Sequence, residues 1–334
     1  MEIALQSVAI PLSDISSVGE ARRQGMNLGS LLGLNEVSNG ELGIIITEVA
    51  RNALIHGGGG QLIVTGQNAG GAINVDVLAL DRGKGIKDVT RAFEDGYSTA
   101  GTPGTGLGAI RRLSSALDLF SNNNGTAIVA SVVQGEKASR SDLEIGSVVV
   151  PYPGEVICGD RVSWRQEAQR TVVMMADGLG HGPLAADAAD EAAHIFQKHS
   201  QETPSEILSR IHDALKKTRG AAVSVAEIRP AMAALTYAGV GNIAATVISD
   251  SQSRSLISHN GIVGHQLHRI QEFTVEWPRS GMFIMHSDGL QTRWALSRYP
   301  GLTKRKASLI AGVLLRDYRR ERDDSSVLVI KEKS

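Results

Sequence analysis

The chain has 334 residues, 42% of them hydrophobic, and this length is typical of two domains with separate cores. Lysine and arginine total 34 against 35 acidic residues, so the chain lacks the basic excess of proteins that bind nucleic acid or anionic membranes. Its single cysteine, Cys158, excludes an internal disulfide framework and a cysteine-rich zinc site. No apolar run reaches about 18 residues, and no signal-peptide core is visible. We therefore expect a cytoplasmic protein whose partners are proteins or nucleotides.

The first half of the chain alternates a helical pattern, strand patterns and two glycine-rich loops. Apolar side chains in residues 36–56 recur at helical spacing, which predicts a helix with one buried stripe. The other predicted elements are strands over Gln61–Gly66, Ala72–Leu80 and Thr126–Val133, a glycine loop over Asp81–Ile86, and a helix that opens in the glycine-rich residues 101–108 and runs to about Leu119.

Polar residues of this half combine into a candidate nucleotide pocket. Glu48 and Asn52 are one helical turn apart, so both project from one side of the predicted helix. An asparagine amide can ligate a magnesium ion that bridges phosphates, and a nearby glutamate can deprotonate an attacking hydroxyl. Asp81 can accept a hydrogen bond from an exocyclic amine such as that of adenine. Each feature alone is more often an ordinary helix position or turn, but their order points to one ligand.

The ordered motifs Glu-x-x-x-Asn, Asp-x-Gly-x-Gly and Gly-x-Gly-Leu-Gly resemble the N box and glycine boxes of the GHKL ATPases, over about residues 10–133. The segment Phe93–Gly101 is similar to the lid of RsbT-type switch kinases, although Pro103 departs from the more glycine-rich lid of that group. A histidine kinase is disfavoured because the first 35 residues contain no histidine. The resemblance implies an ATP- and Mg²⁺-binding Bergerat α/β sandwich with Glu48 as catalytic base, Asn52 as magnesium ligand, Asp81 as adenine acceptor, and Gly83, Gly85, Gly104, Gly106, Leu107 and Gly108 in the nucleotide loops.

The second half differs from the first in its predicted elements, with many short strands and few helical patterns. Strands are predicted, for example, over Glu155–Cys158, Thr171–Ala176, Ala231–Ala238, Asn242–Ile248, Met282–His286 and Val327–Ile330, and helices near Ala185–Gln197, Pro204–Lys217 and Lys306–Tyr318. Four aspartates lie at predicted strand ends: Asp160, Asp177, Asp288 and Asp323. A single Asp-Gly pair is usually a turn. Four such carboxylates suit two hard cations, which could hold a nucleophilic water and neutralise a phosphoryl group.

These four strand ends resemble the SpoIIE and RsbX branch of the metal-dependent (PPM-type) protein phosphatases. The most specific element is Ala176-Asp177-Gly178-Leu179-Gly180-His181-Gly182, and the resemblance covers about residues 143–332. It implies Asp160, Asp177, Asp288, Asp323 and the Gly178 carbonyl as ligands of two Mn²⁺ or Mg²⁺ ions. Asp324 stands where the wider family often has asparagine, so its charge is expected to alter metal affinity. His181 is either a proton donor to the leaving oxygen or structural, and Cys158 is assigned to the core.

We therefore predict a two-domain α/β protein, with a GHKL sandwich over residues 1–135, a linker over 136–142 and a PPM-type αββα sandwich over 143–334. The resemblances imply a kinase and a phosphatase that act on STAS-domain antagonist or stressosome scaffold proteins in a bacterial partner-switching pathway. One alternative makes the first half a nucleotide-gated binding module without kinase activity, which Glu48 argues against. Another, a DNA-associated or chaperone ATPase, is disfavoured because no transducer domain or basic surface is visible. The oligomeric state is left open.

Overall fold

The computed structural model describes residues 3–69, 71–86, 88, 91, 106–135, 141–249, 252–267 and 269–333. The chain divides into two compact units. The first consists of Met1–Ala138 and Ala295–Asp317, and the second of Ser139–Trp294 and Tyr318–Ser334. None of the described helices is both long and apolar enough to span a membrane.

The first unit is built on a five-stranded antiparallel sheet with strand order β1-β2-β3-β5-β4. Three helices share a hydrophobic core with one face of this sheet. The elements of its first stretch are β1 (Ile3–Leu12), α1 (Ile15–Leu32), α2 (Glu36–Gly57), β2 (Gly60–Ala69), β3 (Ala72–Leu80), α3 (Gly106–Leu113), β4 (Ala116–Asn122) and β5 (Gly125–Gln134).

Helix α2 carries the buried stripe that the sequence predicted. It begins after Asn35, whose side chain accepts a hydrogen bond from the Ser38 amide at 2.9 Å, and it ends at Gly58 in a left-handed conformation. Its stripe, which includes Ile45, Ile46 and Val49, is fully buried against the sheet. Because this packing fixes the rotation of the helix, it also fixes the direction in which the polar residues beside the stripe project.

The helix predicted to run to about Leu119 is shorter, and this prediction was wrong. Helix α3 ends at Leu113, and residues 116–122 form strand β4, which pairs with β5. The reason lies at Ser115, whose amide donates to the Ser131 carbonyl at 2.8 Å and whose hydroxyl accepts from the Val133 amide at 3.1 Å. The backbone at Ser115 is therefore already bonded to the sheet and cannot continue a helix.

The second unit contains two five-stranded antiparallel sheets, with orders β13-β10-β9-β8-β7 and β12-β11-β14-β15-β6. Helices α4 and α5 cover the first sheet through a core that includes Phe196, Leu208 and Val223. The elements of the remaining chain are β6 (Leu143–Val150), β7 (Asp160–Gln166), β8 (Thr171–Gly178), α4 (Pro183–His199), α5 (Pro204–Leu215), β9 (Ala221–Arg229), β10 (Ala234–Val240), β11 (Ala244–Ile248), β12 (Ser253–Leu256), β13 (Glu272–Glu276), β14 (Met282–His286), α6 (Ala307–Tyr318) and β15 (Ser325–Glu332). The predicted two-domain α/β architecture is confirmed.

The predicted strand Glu155–Cys158 is a loop, and Val156 in it is 94% exposed. Strand pairing begins only at Asp160. The loop is held by one side chain instead of a ladder, since Asp324 accepts hydrogen bonds from the amides of Tyr152 and Gly159.

The segment Ala295–Asp317, which contains most of α6, packs within the first unit. The sequence analysis assigned these residues to the domain over 143–334, because the resemblance to the phosphatases covers about residues 143–332. The ten consecutive residues from Ala307 to Arg316 are all buried. A helix on the surface would show one exposed face, so α6 is not a surface helix.

Candidate functional site

The predicted catalytic glutamate and magnesium ligand meet the second glycine box in the first unit. Glu48 and Asn52 project half-buried from α2. A methyl group at Gly106, the first residue of α3, would lie 2.7 Å from Glu48 Oε2 and 3.8 Å from Asn52 Oδ1. The N-terminal end of α3 therefore lies directly against both side chains. Helix N-termini favour negatively charged groups such as phosphates, so this junction can hold a nucleotide phosphate.

Asp81 lies at the end of β3 and is nearly buried, at 9% exposure. Its Oδ1 accepts hydrogen bonds from the amides of Gly83 at 2.8 Å and Thr126 at 3.1 Å. Burial raises the pKa of this carboxyl, and the two amides oppose the rise only in part. The aspartate is thus fixed in one orientation, as recognition of a planar base requires.

The other residues that the sequence predicts to bind the nucleotide lie in different surroundings. Gly85 adopts a φ of +72°, and a side chain there would meet the Asn122 carbonyl oxygen at 2.2 Å, so the loop after Asp81 requires glycine. Gly83 lies against the end of α2, where a methyl group would be 2.7 Å from the His56 carbonyl. Leu107 packs on the core, and Gly108 is buried in α3. Gly104 and the predicted lid over residues 93–101 lie outside the described residues.

Asp160 and Asp177 are directly opposite each other in the β7–β8 ladder of the second unit. Opposite residues of an antiparallel pair project from the same face with Cβ atoms about 4.5–5.5 Å apart, so the two carboxylates share one side of the sheet. Asp160 is completely buried, and among the described residues neither carboxylate oxygen has a hydrogen-bond partner of ordinary geometry, although the Ser287 and Ser326 hydroxyls lie near it. A buried carboxylate with unsatisfied oxygens is costly unless a cation compensates it.

Several carboxylates lie close together on this side of the sheet, and their pKa values are raised. Burial raises the pKa of Asp160, and the charges of Asp323 and Asp324 raise it further, while the Ser287 and Ser326 hydroxyls partly offset the rise. Burial also raises the pKa of Asp177, followed by repulsion from Asp160, Asp288, Asp323 and Asp324. The same causes, burial and then Asp288, raise the pKa of Asp323. The structure therefore brings all four predicted ligands within electrostatic range of one another.

The other two predicted ligands, Asp288 and Asp323, are each held by a hydrogen bond. Asp288 Oδ2 accepts from the Asn242 side-chain amide at 2.6 Å, and Asp323 Oδ1 accepts from the Asp324 amide at 3.0 Å. Within the part of the chain that the structure describes, no three His, Cys, Asp or Glu side chains converge in a coordination geometry. The four carboxylates are thus neighbours whose side chains would rotate inward to share a cation.

Close backbone packing joins the loops that carry the ligands. The Gly178 amide donates to the Gly159 carbonyl at 3.1 Å, and a methyl group at Gly178 would lie 2.0 Å from the Ala185 carbonyl oxygen. Only glycine fits between the end of β8 and the start of α4. The Gly178 carbonyl, predicted as a ligand, is therefore beside both Asp160 and Asp177 in the chain fold.

Asp324 has a structural role that the sequence did not reveal. The prediction was that its charge alters metal affinity. In the structure its Oδ1 accepts from the Tyr152 amide at 2.7 Å and its Oδ2 from the Gly159 amide at 2.9 Å, and the residue is buried. Asp324 thereby ties the start of β15 to the loop before Asp160. The Asp323-Asp324 pair was a visible signal, but its partners are more than 150 residues away in the chain.

His181 belongs to a small cluster that the sequence analysis missed. Its Nδ1 lies 2.5 Å from Glu155 Oε1, and its ring stacks on Tyr152 with centroids 4.6 Å apart. Glu155 had been assigned to a strand, which hid this contact. The fixed imidazole is compatible with both interpretations from the sequence, proton donor and structural residue. Cys158 is buried, as predicted, and burial raises its thiol pKa well above the ordinary value.

Comparisons with known proteins match the two halves separately. Residues 12–132 match the family "Histidine kinase-like ATPase domain", and residues 167–332 match "Stage II sporulation protein E (SpoIIE)". The serine/threonine-protein kinase RsbT of Bacillus subtilis (strain 168) is 36% identical over 114 residues, which are 33% of this chain and 84% of RsbT. The phosphoserine phosphatase RsbX of the same organism is 28% identical over 138 residues, 41% of this chain and 69% of RsbX.

Two of the solved structures that resemble this chain are relatives of its C-terminal part. One, described as the bacterial stressosome, a modular system adapted to control secondary messenger signaling, has a TM-score of 0.53 at 26% identity, covering 57% of this chain and 99% of its own. RsbX in complex with magnesium has a TM-score of 0.53 at 23% identity, covering 60% and 98%, and shows the fold. The chain therefore belongs to the RsbT family of histidine kinase-like ATPase domains through its N-terminal part, and its C-terminal part is similar to the SpoIIE family and to RsbX.

Proposed function

We propose that the protein is a bifunctional regulator that phosphorylates and dephosphorylates serine or threonine on STAS-domain antagonist or stressosome scaffold proteins. The observation that carries the phosphatase half is the pair Asp160 and Asp177, adjacent on neighbouring strands, with both oxygens of Asp160 buried and, among the described residues, without a hydrogen-bond partner of ordinary geometry. RsbT and RsbX, the relatives of the two halves, are a serine/threonine-protein kinase and a phosphoserine phosphatase. The fusion would thus place opposing activities in one chain.

The carboxylates of the second unit fit two divalent cations. Hard oxygen donors suit Mg²⁺ and Mn²⁺, and the pKa values of Asp160, Asp177 and Asp323 are raised first by burial and then by mutual repulsion, both of which bound cations would offset. Residues Asp160, Asp177, Asp288, Asp323 and the Gly178 carbonyl would hold them. When bound, the cations supply a nucleophilic water and charge neutralisation for in-line attack on a phosphoester.

A protein substrate is supported by the surface of the two loops that carry the ligands. The loop before Asp160 exposes Val156 and Ile157, and the turn into α4 exposes Leu179 and Leu184, at 44–94%. These loops touch through the His181–Glu155 contact. A polypeptide that presents a phosphoserine to the carboxylates would lie across these apolar side chains, whereas a small phosphoester would not need them.

The first unit supplies the groups for phosphoryl transfer from ATP with magnesium. Asn52 would hold Mg²⁺, Asp81 the adenine amine, and the loops with Gly83, Gly85, Gly104, Gly106, Leu107 and Gly108 the nucleotide. Glu48 would accept the proton of the substrate hydroxyl as its oxygen bonds to the γ-phosphorus and the bond to the β-phosphate oxygen breaks, which releases ADP. The contact of Glu48 with the start of α3 supports this role.

The test mixes the full-length protein with phosphorylatable STAS-domain proteins encoded near it and labelled ATP, and measures steady-state phosphorylation. We expect Glu48→Gln to leave the partner unphosphorylated while ATP still binds, and Asp177→Asn to leave it more phosphorylated than wild type does. Glu41→Gln on α2 and Asp187→Asn on α4 are matched controls that keep the wild-type level.

Two outcomes would change this proposal. Wild type that binds ATP and the STAS protein without transferring phosphate, with Glu48→Gln indistinguishable from it, would identify the first unit as a nucleotide-gated binding module. If Asp177→Asn leaves the partner's phosphorylation unchanged, the two domains do not act on one substrate.

A further inference from the structure

The outer face of the sheet in the first unit is covered by α6. Along β3, Val77 and Ala79 point into the core shared with α1 and α2, so Leu78 and Leu80 point to the opposite face. A methyl group at Gly312 of α6 would lie 2.6 Å from Leu78 and 3.1 Å from Leu80. The helix thus packs directly on the strand that ends in Asp81.

Polar contacts fix the N-terminal end of α6 to β4. Asp118 accepts a hydrogen bond from the Lys306 amide at 2.7 Å and pairs with the Arg305 guanidinium at 3.1 Å. The Lys306 ammonium also reaches the Ser131 hydroxyl at 3.3 Å. A carboxylate beside the first amides of a helix stabilises that end, so Asp118 caps α6 from the sheet.

The C-terminal end of α6 is fixed to the candidate nucleotide loop. The Arg82 guanidinium, next to Asp81, donates a hydrogen bond to the Arg316 carbonyl in the last turn of α6. The Arg316 side chain is buried and pairs with Asp317, which also accepts from the Tyr299 hydroxyl at 2.8 Å. The position of the last turn of α6 therefore depends on the loop predicted to bind adenine.

The chain enters and leaves this segment beside two predicted phosphatase ligands. Within the second unit, the Gln291 amide donates to the Tyr318 carbonyl at 2.9 Å and the Arg320 amide to the Gly289 carbonyl at 2.8 Å. Gly289 follows Asp288, and Asp323 comes shortly after Arg320. These two hydrogen bonds join the ends of the segment, so the last turn of α6 is connected through a few residues to Asp288 and Asp323.

We propose that Arg82 is a positioning residue for the phosphatase site, which acts through the last turn of α6 on the placement of Asp288 and Asp323. Nucleotide binding at the Asp81 loop would then change the metal affinity of the phosphatase. The inference rests on the phosphatase part of the proposed function. Groups that orient metal ligands indirectly typically change metal affinity about 10–100-fold when they are removed, so a metal titration is the sensitive readout.

The experiment titrates the full chain with Mn²⁺ and follows both metal binding, by isothermal titration calorimetry, and hydrolysis of p-nitrophenyl phosphate at buffered free Mn²⁺, and the two midpoints should move together. We expect Arg82→Ala to raise the Mn²⁺ concentration for half-maximal hydrolysis about tenfold, with kcat at saturating Mn²⁺ near the wild-type value. Asp118→Asn, which weakens the other attachment of α6, should shift the half-maximal concentration in the same direction. Arg23→Ala, which removes an exposed arginine of α1 paired only with Glu20 among the described contacts, is the control and should leave the titration unchanged.

Nucleotide sensitivity completes the test. ADP added at constant free Mn²⁺ should shift the titration of wild type but not that of Arg82→Ala. Circular dichroism identifies variants that fold. Folded Arg82→Ala and Asp118→Asn with the wild-type Mn²⁺ dependence would overturn the positioning role while the proposed function stands. Wild type that hydrolyses neither p-nitrophenyl phosphate nor a phosphoserine STAS-domain protein at any Mn²⁺ concentration would overturn the proposed function, and this inference with it.

Discussion

Two buried aspartates, one in each unit, differ in how the free-energy cost of burying a carboxylate is offset. Asp81 and Asp160 are both removed from water, and burial raises the pKa of both. Asp81 is stabilised by the amides of Gly83 and Thr126, which hold it in one orientation. Asp160 has no comparable backbone partner for either oxygen among the described residues, only the nearby Ser287 and Ser326 hydroxyls, and it faces Asp177 across the ladder.

This difference matches the roles proposed for the two residues, base recognition for Asp81 and metal binding for Asp160. A carboxylate satisfied by backbone amides is ready to accept a further hydrogen bond and tolerates the absence of a ligand. A buried carboxylate with repelling neighbours is stabilised most by a cation. We therefore expect the first unit to respond to metal only through bound nucleotide, and the second unit to respond to metal directly.

The larger effect that would sharpen this comparison concerns Asn52. Asn52→Ala should weaken ATP binding in the presence of Mg²⁺ by about 10–100-fold, at least as much as the loss of an indirect metal contact, and should change binding without Mg²⁺ little. Isothermal titration calorimetry of the full chain with and without Mg²⁺ measures both. Asn27→Ala, at an exposed position of α1, is the control. Equal losses with and without Mg²⁺ would show that Asn52 contacts the nucleotide itself.

The prediction with the smaller expected effect is that Asp160 makes the stability of the protein depend on pH. Its folded-state pKa is raised to about 7, above an unfolded value of about 4. The folded state therefore binds the proton more tightly, and with chelator present its contribution to stability is greatest below pH 4 and is lost as the pH rises to about 7. Asp160→Asn removes this loss, so the variant should melt about 3 °C above wild type at pH 8 but not at pH 4.

Differential scanning calorimetry with and without Mn²⁺ checks this prediction. Mn²⁺ should stabilise wild type and the control Asp187→Asn, and should stabilise Asp160→Asn much less. A lower melting temperature for Asp160→Asn at pH 8 in chelator would contradict the account of an uncompensated buried charge.

Local patterns predicted the elements that carry most candidate residues. The strand Ala72–Leu80 matches β3 because a β-branched run ends in a glycine loop, and α2 follows its apolar stripe. Predictions failed where a distant partner decides the structure. Ser115 is drawn into the sheet by Ser131, and residues 155–158 form a loop because Asp324 takes the amides at its ends. The packing of Ala295–Asp317 in the first unit was likewise beyond any pattern within the segment.

For the candidate sites, too, local motifs were predicted and contacts with distant residues were not. The order of motifs identified the acidic and glycine residues, and the structure places Glu48, Asn52 and Gly106 together and the four aspartates within range of one another. The supporting groups Glu155 and Tyr152 gave no comparable signal, because hydrogen bonds and stacking between distant residues leave no periodicity in the sequence.

The most direct test of the central claim is metal-dependent release of phosphate from a phosphoserine STAS-domain protein by the full chain. Hydrolysis should be lost in EDTA and restored by Mn²⁺. Asp288→Asn should lower kcat by about a thousandfold or more at saturating Mn²⁺, because it removes charge from a shared two-metal site, while Asp187→Asn keeps the wild-type rate. Wild-type turnover by Asp288→Asn, or hydrolysis that persists in EDTA, would contradict the claim that these carboxylates form the metal centre of a phosphatase.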